Sequence, residues 1–236
     1  MSLGAAFGWG ALAASSLVVG ALAALARPWP RRLVGLVLAF GAGALISAVS
    51  FDLAEEGADV GGARWVALGL GFGAVVYFLA LRVVERMQSA VGEGGRSLAL
   101  GAFLDGIPEQ LVLGIGIASG QGVSVALLVA IFVSNLPEAI GSATEMRASG
   151  TSPTGVVKLW VAVAACCALA TPAGFLIADA TGGRLLAAID GFAAGALLVM
   201  LVDTMIPDAT ARSGRVAGLA TTLGFAVAWA LSLTST

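Results

Sequence analysis

Histidine is absent from the 236-residue sequence. That excludes a Ser-His nucleophile and an HExxH zinc site, and it removes the commonest transition-metal ligand. Charge is scarce as well. Asp, Glu, Lys and Arg make up 11% of the chain, less than half the share of an ordinary soluble domain, so a water-soluble globule is excluded. The net charge of -2 leaves no basic face and excludes nucleic acid as a partner. The two cysteines, Cys166 and Cys167, are adjacent inside an apolar run. They cannot build a disulfide framework, and packing explains them best.

Apolar residues are abundant instead. Hydrophobic residues make up 59% of the chain, and 33 residues are glycine. Disorder is excluded on that ground. Apolar runs occupy 3–26, 33–54, 65–84, 97–119, 122–144, 156–178, 185–206 and 215–235. Each is about as long as a helix that crosses a bilayer. The expected fold is therefore an all-α membrane protein with eight transmembrane helices. Short loops leave no room for a sizeable extramembrane domain, so 1–236 forms one integral-membrane domain. The first run is a span rather than a signal peptide: Met1-Ser2-Leu3 lacks a positive charge, and Arg27, Arg31 and Arg32 follow the run. Gly4/Gly8, Gly69/Gly73, Gly116/Gly120 and Gly191/Gly195 have the spacing that lets membrane helices approach closely. Trp9, Trp29, Trp65, Trp160 and Trp229 fall mostly near span ends, as interfacial anchors do.

The cations set the orientation. Arg27, Arg31, Arg32, Arg82, Arg86, Arg96, Arg147, Lys158, Arg212 and Arg215 fall on alternate loops, and only Arg64 and Arg184 fall on the others. The positive-inside rule then places both termini outside. Asp52, Glu55, Glu56, Asp59, Asp179 and Asp190 gather at or near the outer side, where an acidic mouth would concentrate cations; solvated span ends carry similar charges. Asp190, inside span 7, is the functional candidate among them. Asp203, near the inner end of span 7, fits an exit or an interfacial cap.

Two internal similarities suggest inverted repeats, with spans 1–3 against 6–8 and span 4 against span 5. Phe40-Gly41-Ala42-Gly43-Ala44-Leu45 resembles Phe192-Ala193-Ala194-Gly195-Ala196-Leu197. Asp105-Gly106-Ile107-Pro108-Glu109 in span 4 resembles Ser134-Asn135-Leu136-Pro137-Glu138 in span 5. Opposed repeats of this kind are the sequence trace of secondary transporters.

The second pair carries the chemistry. Ionised side chains at bilayer depth are costly and mark ion pathways by default. Asp105 and Glu109 share one helix face, as do Asn135 and Glu138. Counting along the helices puts Asp105 and Glu138 about 12 Å from the inner ends of their spans, with Glu109 level with Ser134. Pro108 and Pro137 would free the carbonyls of Leu104 and Val133 and kink both helices. With no Lys or Arg in these spans, a bound cation or protons must neutralise the carboxylates. An oxygen-rich site suits a dehydrating cation.

These motifs resemble the ZIP family of divalent-metal transporters, along nearly the whole chain. The resemblance implies eight spans, outer termini and a metal site made by Asp105, Glu109, Ser134, Asn135 and Glu138. It implies zinc, iron, manganese or cadmium as the transported substrate, moving toward the cytoplasm, without an organic cofactor. From some members it implies a homodimer in which one helix bundle moves against another. A bacterial inner membrane is the expected location. This chain has Asp105-Gly106 where the family usually has His-Asn. Gln110 and Ala139 replace the Gly after each Glu. Span 6 offers Cys166, Cys167 and Thr171 instead of an acidic residue, and Gln88–Gly95 replaces a His-rich loop. The all-oxygen donor set leans toward Mn²⁺, Mg²⁺ and Fe²⁺. A proton-coupled carrier of a small organic solute is the alternative, because close carboxylates can share a proton. An enzyme has little support, since no catalytic dyad can be assembled.

Overall fold

Apolar side chains point outward along much of the molecule. Leu68, Phe72, Val75, Leu79 and Val83 form one exposed stripe on a single helix, and water would not tolerate so large an apolar patch. A computed structural model describes residues 2–91, 95–118 and 123–233. The described residues are helical throughout, apart from short turns. In chain order they form α1 (Leu3–Ala26), α2 (Arg31–Ala48), a π-helical segment (Val49–Glu55), α3 (Glu56–Gly61), α4 (Ala63–Val91), α5 (Gly95–Ala118), α6 (Val125–Ala148), α7 (Pro153–Asp179), α8 (Arg184–Met200), a second π-helical segment (Leu201–Met205), α9 (Ile206–Ser213) and α10 (Val216–Ser232). The centre of the Gln88–Gly95 segment and Gly120 lie outside the described residues.

Seven helical runs are long and apolar enough to cross a membrane, and an eighth apolar helix, α10, has 17 residues. The chain is thus an all-α integral membrane protein. Spans 2 and 7 are longer than their apolar runs, reaching Arg31–Gly61 and Arg184–Ser213. Serine caps start several helices: Ser2, Ser124 and Ser152 accept from the amides of Ala5, Leu127 and Gly155 at 3.3, 3.1 and 3.1 Å, which satisfies amides that have no intrahelical partner.

The helices sort into two groups. α4 packs along α8 and α2 along α10, while α1, α6, α7 and α5 pack with one another; α2 against α6 is the main contact between groups. Glycine makes the closest approaches. A Cβ on Gly43 would collide with the carbonyl of Thr221, and one on Gly224 with that of Phe40. In the other pair, Gly195 meets the Leu70 carbonyl and Gly73 meets that of Phe192. Removal of the side chain is what allows these backbones to touch. Gly69 and Gly191 act likewise, whereas Gly8 and Gly116 face open space, so only some of the glycine spacings are packing seams.

The two halves also match in their irregularities. Both π segments follow the similar Phe-containing stretches, and both runs end on a glycine with positive φ: Gly62 at 101° and Gly214 at 66°. These left-handed turns require glycine. Matching features stand 152 residues apart (40 to 192, 62 to 214).

One tryptophan departs from its expected place. Trp160 is fully buried, in the cluster of α1, α6 and α7 that includes Leu17, Met146 and Val156. It is a core residue rather than an interfacial anchor. Its position near a span end misled because α7 turns that face toward α1 and α6 instead of lipid. α5 and α6 remain helical through Pro108 and Pro137. The π-helical segments fall in spans 2 and 7.

Candidate metal centre

The polar side chains of α5 and α6 do meet. Glu109 is 1% exposed, and Ser134 and Asn135 are as deeply buried. Ser134 Oγ donates to Glu109 Oε1 at 3.1 Å, and Asn135 Nδ2 donates to Oε2 at 2.8 Å. Ser134 Oγ also lies 3.0 Å from the Ile131 carbonyl, so its one O–H is shared between two acceptors. Local packing sets this register. Gly41 of α2 has no side chain, and a Cβ there would stand 2.8 Å from Ser134 Cα. α2 therefore presses α6 toward α5 at the level of the site.

Asp105 lies one turn from Glu109 on α5 and is also buried. Its partners come from elsewhere. Tyr77 Oη on α4 donates to Asp105 Oδ1. Thr204 Oγ1, in the second π segment, makes a long 3.5 Å contact with Oδ2 while donating to the Met200 carbonyl at 2.6 Å. Neither residue belongs to a motif or a spacing pattern. Tyr77 carries a usable signal, being the single tyrosine of the chain in the middle of an apolar span. Thr204 carries none, since a hydroxyl in a helix commonly bonds its own backbone.

Glu138 is half-buried, and its Oε2 is buried without a hydrogen-bond partner among the described residues. It lies within electrostatic reach of Asp105, Glu109, Asp208 and Arg212. Arg212 Nε pairs with Asp208 at 2.8 Å, and its guanidinium rests against Gly141, one turn past Glu138. The five expected residues therefore fall into one region. Four are buried, with Glu109, Ser134 and Asn135 in direct contact and Glu138 set apart. Among the described residues, no three Asp, Glu, His or Cys side chains close to direct metal-holding distance. A cation here would draw on Asn135, Ser134 or backbone oxygens as well as carboxylates, and hard ions accept such mixed oxygen donors.

Thr171 of α7 donates to Gln110 Oε1 at 2.5 Å, leaving Gln110 Nε2 unpaired among the described residues. Cys166 is exposed and Cys167 buried, as their divergent directions on a helix require. A Cβ on Gly106 would stand 2.8 Å from Cys167 Sγ, so this thiol packs against α5.

Two cavities flank the site. One of about 360 Å³ is wholly apolar and borders Tyr77, Leu104, Ile107 and Pro108. The other, about 610 Å³, is lined by Asp52, Glu55, Glu56, Asp59, Ser124 and Asp190, and its lining also includes Val112 and Leu127. Val112 follows Glu109 by less than one turn and is buried, as is Leu127. Apolar packing thus separates the acidic cavity from the carboxylate layer.

A membrane bundle with buried carboxylates, neutral oxygen donors and no histidine defines a polytopic protein with an ionisable interior. No protein-family model matches the chain. The chain is similar to an Arabidopsis thaliana protein named "Putative zinc transporter", with 32% identity over 201 residues. The match covers 79% of this chain, which spans about a third (32%) of the relative's length. This homology supports the resemblance to the ZIP family that the paired Pro-Glu motifs carry.

Proposed function

We propose that the chain is a carrier of a divalent metal cation of the zinc, iron or manganese class. Residues 1–236 act as one transporter domain that moves the ion toward the cytoplasm through Asp105, Glu109, Ser134, Asn135 and Glu138. The observation that carries this reading is Glu109, a carboxylate 1% exposed and met, among the described residues, by the neutral groups of Ser134 and Asn135. A charge so placed needs a cation or a proton.

Alternating access has support in the packing. The site lies where the two helix groups meet, and apolar side chains seal it from the acidic cavity. On the other side Glu138 and Asp208 are both half-buried. We read this as an arrangement closed toward the acidic end and open toward the arginine-rich, cytoplasmic end. The matched π segments and glycine contacts support inverted repeats that exchange roles between states.

Uptake of Mn²⁺ and Zn²⁺ into proteoliposomes tests the proposal. Glu109→Gln should lower uptake at least 100-fold while the protein remains monodisperse and unfolds at a similar temperature. Asn135→Ala should lower it roughly tenfold, the usual consequence of losing one hydrogen bond to a charged group. Wild-type rates in both variants would sink the assignment.

A further inference from the structure

The acidic cavity is built on three separate elements. Asp52 belongs to the first π segment, Glu56 to α3 and Asp190 to α8. Among the described residues, no Lys or Arg lines it. Ser124, the N-cap of α6, donates to Asp52 Oδ2 at 2.8 Å and ties the cavity floor to the helix that carries Asn135. Asp190 is the unusual member. It is 6% exposed, it lines the cavity, and no hydrogen-bond donor meets it among the described residues. Its carboxylate packs 3.3 Å from where a Cβ on Gly57 would stand, so glycine is needed beside it. Its electrostatic neighbour is Glu56, which in turn lies near Asp52. Asp190 therefore borders the cavity as a buried carboxylate with no capping donor among the described residues.

The carboxylates are too far apart to chelate a bare ion, since no three of them reach direct ligation distance among the described residues. The cavity is correspondingly large, about 610 Å³. A divalent ion with six waters needs roughly 200 Å³, taking about 30 Å³ per water. From this geometry we infer that the cavity of Asp52, Glu56 and Asp190 is a second cation site, one that binds a divalent metal ion with its water shell intact. Each carboxylate accepts hydrogen bonds from the ion's waters. The ion is captured hydrated here and exchanges water for protein oxygens only at the carboxylate layer beyond Val112 and Leu127. As a capture step this rests on the transport reading. As a binding site it does not, and it can exist in a protein that fails the uptake test.

Hexaamminecobalt(III) distinguishes the two sites, because it resembles a hydrated metal ion and does not exchange its ligands. Binding to the purified full chain is measured by equilibrium dialysis for wild type, Asp190→Asn, Glu56→Gln and Glu109→Gln. Wild type and Glu109→Gln should bind the complex alike. Asp190→Asn and Glu56→Gln should each bind roughly tenfold more weakly, as expected for loss of one nearby charge. Glu56→Gln keeps the test decisive if Asp190→Asn does not fold. Failure of wild type to bind overturns the inference. So does wild-type affinity in the folded cavity variants, or equal loss in Glu109→Gln, which would place the complex in the mid-membrane layer.

Discussion

At the scale of single residues, the carboxylates of α5 are held by different chemistry. Glu109 takes its donors from α6, one helix away. Asp105 depends on Tyr77, from α4, since its contact with Thr204 is long. Losing a donor to a buried carboxylate leaves the full desolvation cost of the charge uncompensated. Tyr77→Phe is therefore expected to destabilise the protein by about 1–3 kcal/mol, measured by thermal unfolding in detergent. In an Asp105→Asn background the same change should cost clearly less, because the two groups interact directly. Equal costs in both backgrounds would show that Tyr77 acts through packing alone. Asp105 and Glu109 could be picked out from spacing and depth, and Tyr77 stood out only as the single tyrosine of an apolar span; that Tyr77 and Thr204 meet Asp105 was not legible, because their spans approach α5 only in the folded bundle.

At the scale of elements, glycine contacts set the helix spacing that the site depends on. Gly195 lies against the Leu70 carbonyl, where backbone cannot yield as a flexible side chain would. Gly195→Ala should cost about 1–3 kcal/mol, the usual range for overpacking. Gly71, next to Leu70 on α4 but facing open space, provides the control. Gly71→Ala should be neutral or stabilising by up to about 1 kcal/mol through helix propensity. The comparison is read from paired unfolding curves, and a loss at Gly71 matching that at Gly195 would refute the seam. The small-xxx-small spacing alone did not separate these cases. Gly4/Gly8 and Gly116/Gly120 have the same spacing as Gly69/Gly73, yet a Cβ on Gly8 or Gly116 would enter open space. Similarly, proline drew attention to α5 and α6, while the π segments arose in spans 2 and 7; the first contains no proline, and the second is followed by Pro207, which gives the Asp203 carbonyl no N–H. An extra residue per turn there aims Thr204 at Asp105.

At the scale of the molecule, two helix groups meet along α2 and α6, and the hydrogen bond from Ser124 to Asp52 crosses that boundary beside the acidic cavity. Transport by relative movement of the groups requires this end to open. A Ser124→Cys/Asp52→Cys pair, in a background lacking Cys166 and Cys167, should be joined by a short thiol cross-linker. Metal uptake should stop on cross-linking and return with a cleavable linker after reduction. Single-cysteine controls should be insensitive. Cross-linked protein that carries metal at the rate of the untreated pair would show that the two groups do not separate here.

Composition and charge order were enough for an all-helical membrane protein, because bilayer thickness fixes helix length and apolar runs record it directly along the chain. The Asp-x-x-x-Glu and Asn-x-x-Glu spacings were enough to put polar groups on one face of each helix, since helical periodicity is a local rule. The partners of those groups were a different matter. Tyr77, Thr204, the burial of Trp160 and the gathering of Asp52, Glu56 and Asp190 around one cavity all depend on which helices touch. Those contacts are made between residues tens of positions apart, through shapes that only the packed bundle creates.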